Sequence, residues 1–331
     1  MKISLKIKKI DRALKALAGH KNKCQLCPRQ CSVNREKELG YCLTGNNASL
    51  SHAGLHFGEE PVLSGYTNCR KELKISSAHP LGSGTIFFTG CHLKCLYCQN
   101  HQISWENNGN KISTRALSNK MLDIQKKGAL NINLVSPTHM LIPILSALKK
   151  AYENGLSIPL VYNSSGYERD NIIKELDGIV DIYLPDIKYL SPLLSKKLSN
   201  ASNYFRYAKK AVLEMSRQQY NLILDKHGVA QKGLVIRHLV LPGQTADTKN
   251  ILKWIKKNIS NSYGLSLMGQ FYPCYKTPPE FQRKITRQEY KKVLHTAQKI
   301  GFTQIYFQPE LFSDESHLIP DFKQDNPFKW E

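Results

Sequence analysis

Residues 84–100 read GTIFFTGCHLKCLYCQN, and this stretch decides the fold. Its first six residues, Gly84 to Thr89, form a short β-branched and aromatic run of the kind that makes a buried strand. Gly90 follows, and then Cys91, Cys95 and Cys98 in a C-x3-C-x2-C pattern, so three thiols sit on the loop that leaves the strand. Clustered thiolates select zinc or an iron–sulfur cluster, and either asks for four ligands. His101 is a weak local candidate for the fourth. A structural zinc site would be completed, whereas a cubane held by three thiolates keeps one iron open, as a catalytic cluster requires.

Outward from this strand the pattern repeats. Six more short apolar runs stand at 130–135, 158–162, 179–184, 233–241, 264–269 and 302–307, with helical stretches near 114–127, 138–154, 168–176, 201–219, 247–258 and 287–299. Strand, helix, strand at this spacing builds right-handed crossover units and a parallel sheet. So many units predict an α/β fold with a full or partial (β/α) barrel, a doubly wound sheet being the alternative. In both, polar residues at the C-terminal ends of strands are the candidates for chemistry.

Upstream, residues 1–17 place Ile3, Ile7, Ile10, Leu14 and Leu17 on one helical stripe, which predicts an amphipathic helix docked on the main body rather than on a membrane. Residues 20–82 show no sustained period but hold Cys24, Cys27, Cys31 and Cys42 as C-x2-C-x3-C-x10-C. Four thiolates at these spacings close a site, either structural zinc or an auxiliary [4Fe–4S] cluster, and the metal would order a segment with little core of its own. The division expected is therefore a helix and four-cysteine segment over 1–82, a barrel over 83–310 and a tail over 311–331. Cys69 and Cys274 stand apart from both sets.

The chain has 331 residues, 41% of them apolar, enough to bury a real core, and no apolar run reaches the about 20 residues that span a bilayer. Nine cysteines cannot form an even disulfide framework, and no apolar signal core follows the Lys-rich start, so a cytoplasmic protein with ligating thiols is expected. The formal charge is +21, yet it comes from 36 Lys against 11 Arg with no dense block. Base readout and bidentate phosphate gripping favour Arg, so solvated lysine is preferred to a nucleic-acid groove.

At this point the chain resembles a known family. C-x3-C-x2-C after the first strand of a (β/α) barrel is characteristic of radical S-adenosylmethionine (SAM) enzymes. The wider stretch to Ser104, with CQLCPRQCSVNREKELGYC, HFGEEPVLSG, NINLVSPTHM, IPLVYNSSGYE, LDGIVDIYLPDIKY, EMSRQ, GLVIRHLVLPG and YGLSLMGQFYP, resembles the PflX-type relatives of pyruvate formate-lyase activating enzyme over about residues 24–310. The resemblance implies a partial (β/α)6-type TIM barrel and a [4Fe–4S] cluster on Cys91, Cys95 and Cys98. Its open iron would chelate SAM, whose reductive cleavage yields a 5′-deoxyadenosyl radical for hydrogen abstraction.

For the SAM contacts the resemblance implies Tyr97 against the adenine, with Asn100 nearby, the alternative for Tyr97 being loop packing. Ser136 and Thr138 stand where a Gly-Gly-Glu turn commonly binds the amino group; they serve either that group or the N-cap of the next helix. Asn163 and Ser164 fall where related enzymes bind the ribose, or form an ordinary polar turn. Asp186 and Lys188, two apart on one face of the strand, orient the methionine part of SAM or the substrate, or make a structural ion pair. Arg237 approaches the SAM carboxylate, while His238, on the other face, is a core histidine. The implied partners are an acidic reductant, flavodoxin or ferredoxin, and a glycyl radical enzyme as substrate. Two rival readings are modification of a small metabolite, sugar or peptide, and a metal-stabilised RNA-binding or RNA-modifying protein.

Overall fold

The computed structural model describes residues 3–65, 82–260, 262–307 and 318–328. Among the described residues ten strands lie in chain order: β1 Ala48–His56, β2 Ser83–Phe88, β3 Asn110–Ile112, β4 Ile132–Val135, β5 Leu160–Ser164, β6 Ile182–Pro185, β7 Ile223–Leu224, β8 Ala230–Leu239, β9 Gly264–Met268 and β10 Ile305–Tyr306. Their spatial order is β10-β9-β8-β6-β5-β4-β2-β1-β3, with β7 paired to β8. From β2 to β10 every neighbouring pair is parallel, and helices cross between the strands. The path runs from edge to edge without closing among the described residues, so the architecture is the partial α/β barrel that the sequence predicts.

Each parallel strand alternates its side chains between two environments, as the pleat requires. Leu160, Tyr162, Tyr183, Leu234 and Ile236 face the helices in the main core, while Val161, Ile182, Leu184 and Val235 face the lumen. The lower lumen is filled by the short helix Pro61–Ser64, whose Val62 and Leu63 pack among those four residues. Asn131 Nδ2 donates to Leu63 O at 2.8 Å and ties this plug to the wall. Periodicity gave no sign of it, because four residues are too few to show a period.

Residues 48–64 thus belong to the sheet and its lumen. β1 pairs antiparallel with β2 from Leu50↔Phe88 to His56↔Ser83, so the boundary expected near 83 falls between two bonded strands of one sheet. Residues 318–328 also pack inward, with Phe322 and Phe328 against Phe87 and Ile103. The helix Pro192–Ser199 was not expected; Pro192 at its first turn and the Ser191 hydroxyl accepting from Leu194 N start it.

The N-terminal helix Ile3–Leu17 docks as its stripe predicts, burying Ile10, Ala13 and Leu17 in the main core. Lys6 Nζ reaches Asp181 Oδ2 at 2.5 Å, and the same oxygen accepts from Leu160 N at 2.9 Å. No helix among the described residues is long and apolar enough to cross a membrane. Truncation of the fully buried Ile10 to Ala should therefore cost about 2–5 kcal/mol in urea unfolding, as for other core aliphatics; an unchanged midpoint would mean the helix is not docked.

Candidate active site and cysteine centres

The cysteine loop begins where β2 ends. Gly90 has φ +74°, and a Cβ there would stand 2.2 Å from Cys42 O, so only glycine lets the loop leave the strand this close to the N-terminal segment. Lys94 takes the left-handed conformation at φ 56°. Trp105 Nε1 donates to Cys95 O at 3.0 Å and Leu96 N to Leu198 O at 2.8 Å, which fixes the loop from two sides.

Each sulfur of the loop accepts a hydrogen bond. Leu93 N and Lys94 N approach Cys91 Sγ at 3.4 and 3.5 Å, the Ser199 hydroxyl lies 3.1 Å from Cys95 Sγ, and the Ser104 hydroxyl 3.2 Å from Cys98 Sγ. Such donors favour thiolate, but withdrawal from water pushes the Cys91 thiol up and Cys98 to about 12, so these groups ionise when a metal binds them. Among the described residues no three His, Cys, Asp or Glu side chains converge on a single ion. A cubane does not ask for that, because each thiolate binds a different iron; the donor set fits such a cluster. His101 is turned aside, stacked on Tyr275 at 4.9 Å.

The upper lumen carries the charged residues. Arg237 Nε donates to Asp186 Oδ1 at 2.9 Å, and its Nη2 to Asn163 Oδ1 at 2.6 Å. Lys188 Nζ meets the other Asp186 oxygen at 2.6 Å. Burial would raise the Asp186 carboxyl, but Arg237 and Lys188 outweigh it and hold the group below the usual carboxylate range. Alternation explains the set: Asn163, Asp186 and Arg237 point inward, while His238, one residue on, bonds Ile187 O and Thr248 in the wall. Ser136, at φ 52° where β4 ends, stays partly exposed and donates its N–H to Asn163 O at 2.8 Å.

Two acidic residues were missed. Glu59 and Glu60, which precede the plug helix, rise from the floor of the lumen: Glu59 accepts from Asn133 and, at 3.3 Å, from Asn163 Nδ2, and Glu60 Oε1 lies 3.8 Å from Arg237 Nη1. Burial and the neighbouring Glu60 push the Glu59 carboxyl up to about 7. Two adjacent carboxylates in HFGEEPVLSG, next to a proline, were the only sign in the sequence.

Two expected SAM contacts, Ser164 and Thr138, are bonded to a buried carboxylate, and a third, Tyr97, is buried in an aromatic cluster. Ser164 and Thr138 both donate to Glu168 Oε1 at 2.5 Å, and Tyr162 shares Thr138 at 3.0 Å. For Ser164 the reason is a one-residue step along the strand, which sends it outward where Asn163 goes inward. Tyr97 is 5% exposed, packed on Phe271, with its hydroxyl 2.6 Å from that of Tyr189. From there the chain of hydroxyls runs through Ser199 to Cys95. Asn100 opens the short helix His101–Ser104 and its carbonyl accepts from Ile103 N and Ser104 N.

The four-cysteine segment lies against the back of the cluster loop. Cys24, Cys27 and Cys42 are buried and Cys31 is exposed. A Cβ on Gly40 would touch the sulfurs of Cys31 and Cys42 at 3.3 and 3.4 Å, so a glycine leaves them room. Arg35 Nη1 approaches Cys24 Sγ at 3.4 Å, and the Cys42 sulfur is 3.0 Å from Thr44 Oγ1. Cys274 is nearer the loop than its sequence position suggested, its sulfur 3.6 Å from Tyr97 O. Cys69 lies outside the described residues.

The family model of the radical SAM superfamily matches residues 85–255. An uncharacterized protein of Methanocaldococcus jannaschii is 32% identical over 294 residues, covering 86% of this chain and 76% of its own. A solved domain of pyruvate-formate lyase-activating enzyme from Bacteroides vulgatus overlaps 52% of this chain and 91% of its own, with a TM-score of 0.36 and 11% identity.

Glu168 supplies a pH test of the wall. It is fully buried, and burial raises its carboxyl to about 7 against the hydrogen bonds from Ser164 and Thr138. A folded-state value above the unfolded one means the native protein takes up a proton, so stability present at acid pH is lost as pH rises through about 7. Glu168→Gln should flatten this dependence and unfold at higher denaturant than wild type at pH 8; parallel pH profiles for the two proteins would refute the assignment.

Proposed function

Since the chain belongs to the radical SAM superfamily, we propose that it uses a [4Fe–4S] cluster on Cys91, Cys95 and Cys98 to cleave SAM and abstract hydrogen from a substrate, as a glycyl-radical-enzyme activase does. When bound, the cluster supplies one electron to the SAM sulfonium, which gives methionine and the 5′-deoxyadenosyl radical. The observation that carries this reading is the placement of three hydrogen-bonded sulfurs at the C-terminal end of β2, on the barrel that bears Arg237, Asp186 and Lys188 inside.

The residues divide the work. Lys188 and Arg237 take the SAM carboxylate and Asp186 its ammonium, exchanging contacts that they now make with one another. Asn163 offers its amide to the ribose, and Ser136 stands in for the missing Gly-Gly-Glu turn. A lumen closed below by Val62 and Leu63 excludes water from the radical. The four cysteines of the N-terminal segment hold a second cluster, which needs no convergence on one ion, or zinc, for which the sulfurs would have to draw together on binding. An acidic flavodoxin or ferredoxin delivers the electron, drawn by the diffuse positive charge of 36 lysines.

For the hydrogen donor, the motif resemblance supports a glycine in a partner protein. The charged floor of Glu59, Glu60 and Arg237 favours a second reading, a small polar molecule held by ionic contacts inside the lumen.

Anaerobic reconstitution with iron and sulfide, then dithionite and SAM, should yield 5′-deoxyadenosine, and Cys91→Ala should abolish it. Stoichiometric zinc with no such product would sink the reading, and full SAM cleavage by Cys91→Ala would overturn the ligand assignment.

A further inference from the structure

Arg29 lies between Cys27 and Cys31 of the N-terminal set, yet every hydrogen bond its side chain makes reaches the other cysteine centre. Nε donates to His92 O at 3.0 Å and Nη2 to Leu93 O at 3.2 Å, the two carbonyls that follow Cys91. Nη2 also reaches Ser199 O at 2.9 Å and Nη1 reaches Asn200 O at 2.6 Å, at the C-terminal end of the helix Pro192–Ser199. The hydroxyl of that same Ser199 is the donor to Cys95 Sγ. One guanidinium thus bridges four carbonyls on two elements that both hold the cluster cysteines.

The arrangement uses properties that only arginine has. A planar fork with five N–H groups can span several acceptors at once, and its charge suits the negative end of a helix. The fork is held flat by aromatic rings, 4.2 Å from the centroid of Tyr41 and 5.4 Å from that of Tyr167. Tyr41 itself precedes Cys42, and Lys94, of the cluster loop, lies 5.2 Å over the same ring. Gly90 abuts Cys42 O, and Asn107 Nδ2 donates to Leu43 O at 3.2 Å, so the two segments meet along a continuous seam. What positions Arg29, in turn, is the tight turn of the four-cysteine segment, where Gln30 has φ 43° and Gln30 N donates to Cys27 O.

Resting on the cluster assignment proposed above, we propose that Arg29 is a positioning residue for the catalytic cysteine loop, and that through it the metal occupancy of the four-cysteine site and the retention of the catalytic cluster are coupled. Loss of metal from the N-terminal set loosens the turn that carries Arg29. The carbonyls of His92 and Leu93 and the end of the Pro192–Ser199 helix then lose their common donor, and the loop no longer holds Cys91 and Cys95 in register.

The test uses full-length protein, reconstituted anaerobically, as wild type, Arg29→Gln, Cys27→Ala and the double variant. The readout is the decay of the SAM-responsive electron paramagnetic resonance signal in the presence of a ferrous chelator, which requires no substrate and no turnover. Arg29→Gln should speed that decay about 10- to 100-fold, the usual effect of losing an outer-shell contact to a metal site. Cys27→Ala should act in the same direction, and the double variant should fall short of the product of the two, because both act through one bridge. Arg29→Lys keeps the charge but cannot span four carbonyls; it should behave as Arg29→Gln and serves in its place if the glutamine variant does not fold. Decay at the wild-type rate in both Arg29 variants overturns the positioning role, and strictly multiplicative effects overturn the coupling. A wild-type protein with no SAM-responsive signal overturns the cluster assignment itself, and the proposal with it.

Discussion

A guanidinium enclosed in a barrel must be neutralised, and the interior around Arg237 is arranged by that demand. Its side chain is 15% exposed and meets Asp186, Asn163 and Glu60, drawn from β5, the end of β6 and the N-terminal segment. Taking an unpaired charge out of water would cost several kcal/mol, so none of these partners is free to vary alone. Lys188 on the far side of Asp186 extends the chain of charges. The apolar plug below and the charged layer above are two halves of one solution: Val62 and Leu63 dry the lower lumen, while Glu59 and Glu60, from the same short segment, supply charge to the upper one.

The parallel strands and the two cysteine sets were legible because both signals are local. GTIFFT, IPLVY and GLVIRHLVL are dense in β-branched and aromatic residues, and thiol spacing needs no knowledge of the rest of the chain. The face of each strand was legible where two neighbours of different chemistry stand together, as in Arg237 and His238. It was not legible in Asn163 and Ser164, where both residues are small and polar and only the register sends one inward.

Non-local contacts account for what sequence reading missed. β1 carries Ser49, Ser51, His52, Gly54 and His56, a poor strand by composition that is ordered by pairing with β2. Phe322 and Phe328 look like an aromatic tail and become core only because Phe87 faces them. Arg29 reads as one more cation in a chain of charge +21, and its role appears once four distant carbonyls come within 3.2 Å. The lysines that dominate that charge contribute a general field, whereas the few arginines with inward partners hold the architecture.

The origin of the plug in the N-terminal segment imposes an order on assembly. Leu63 is made before any parallel strand, yet it buries against Val161, Ile182, Leu184 and Val235, the last of them on β8. During synthesis the segment of Glu59 to Ser64 therefore waits with its apolar face uncovered until more than half the chain has followed. Contacts of this sequence separation slow folding and leave intermediates open to aggregation. A chain cut short before β8 would keep Val161, Ile182 and Leu184 but lose Val235, leaving the plug seated on one side only.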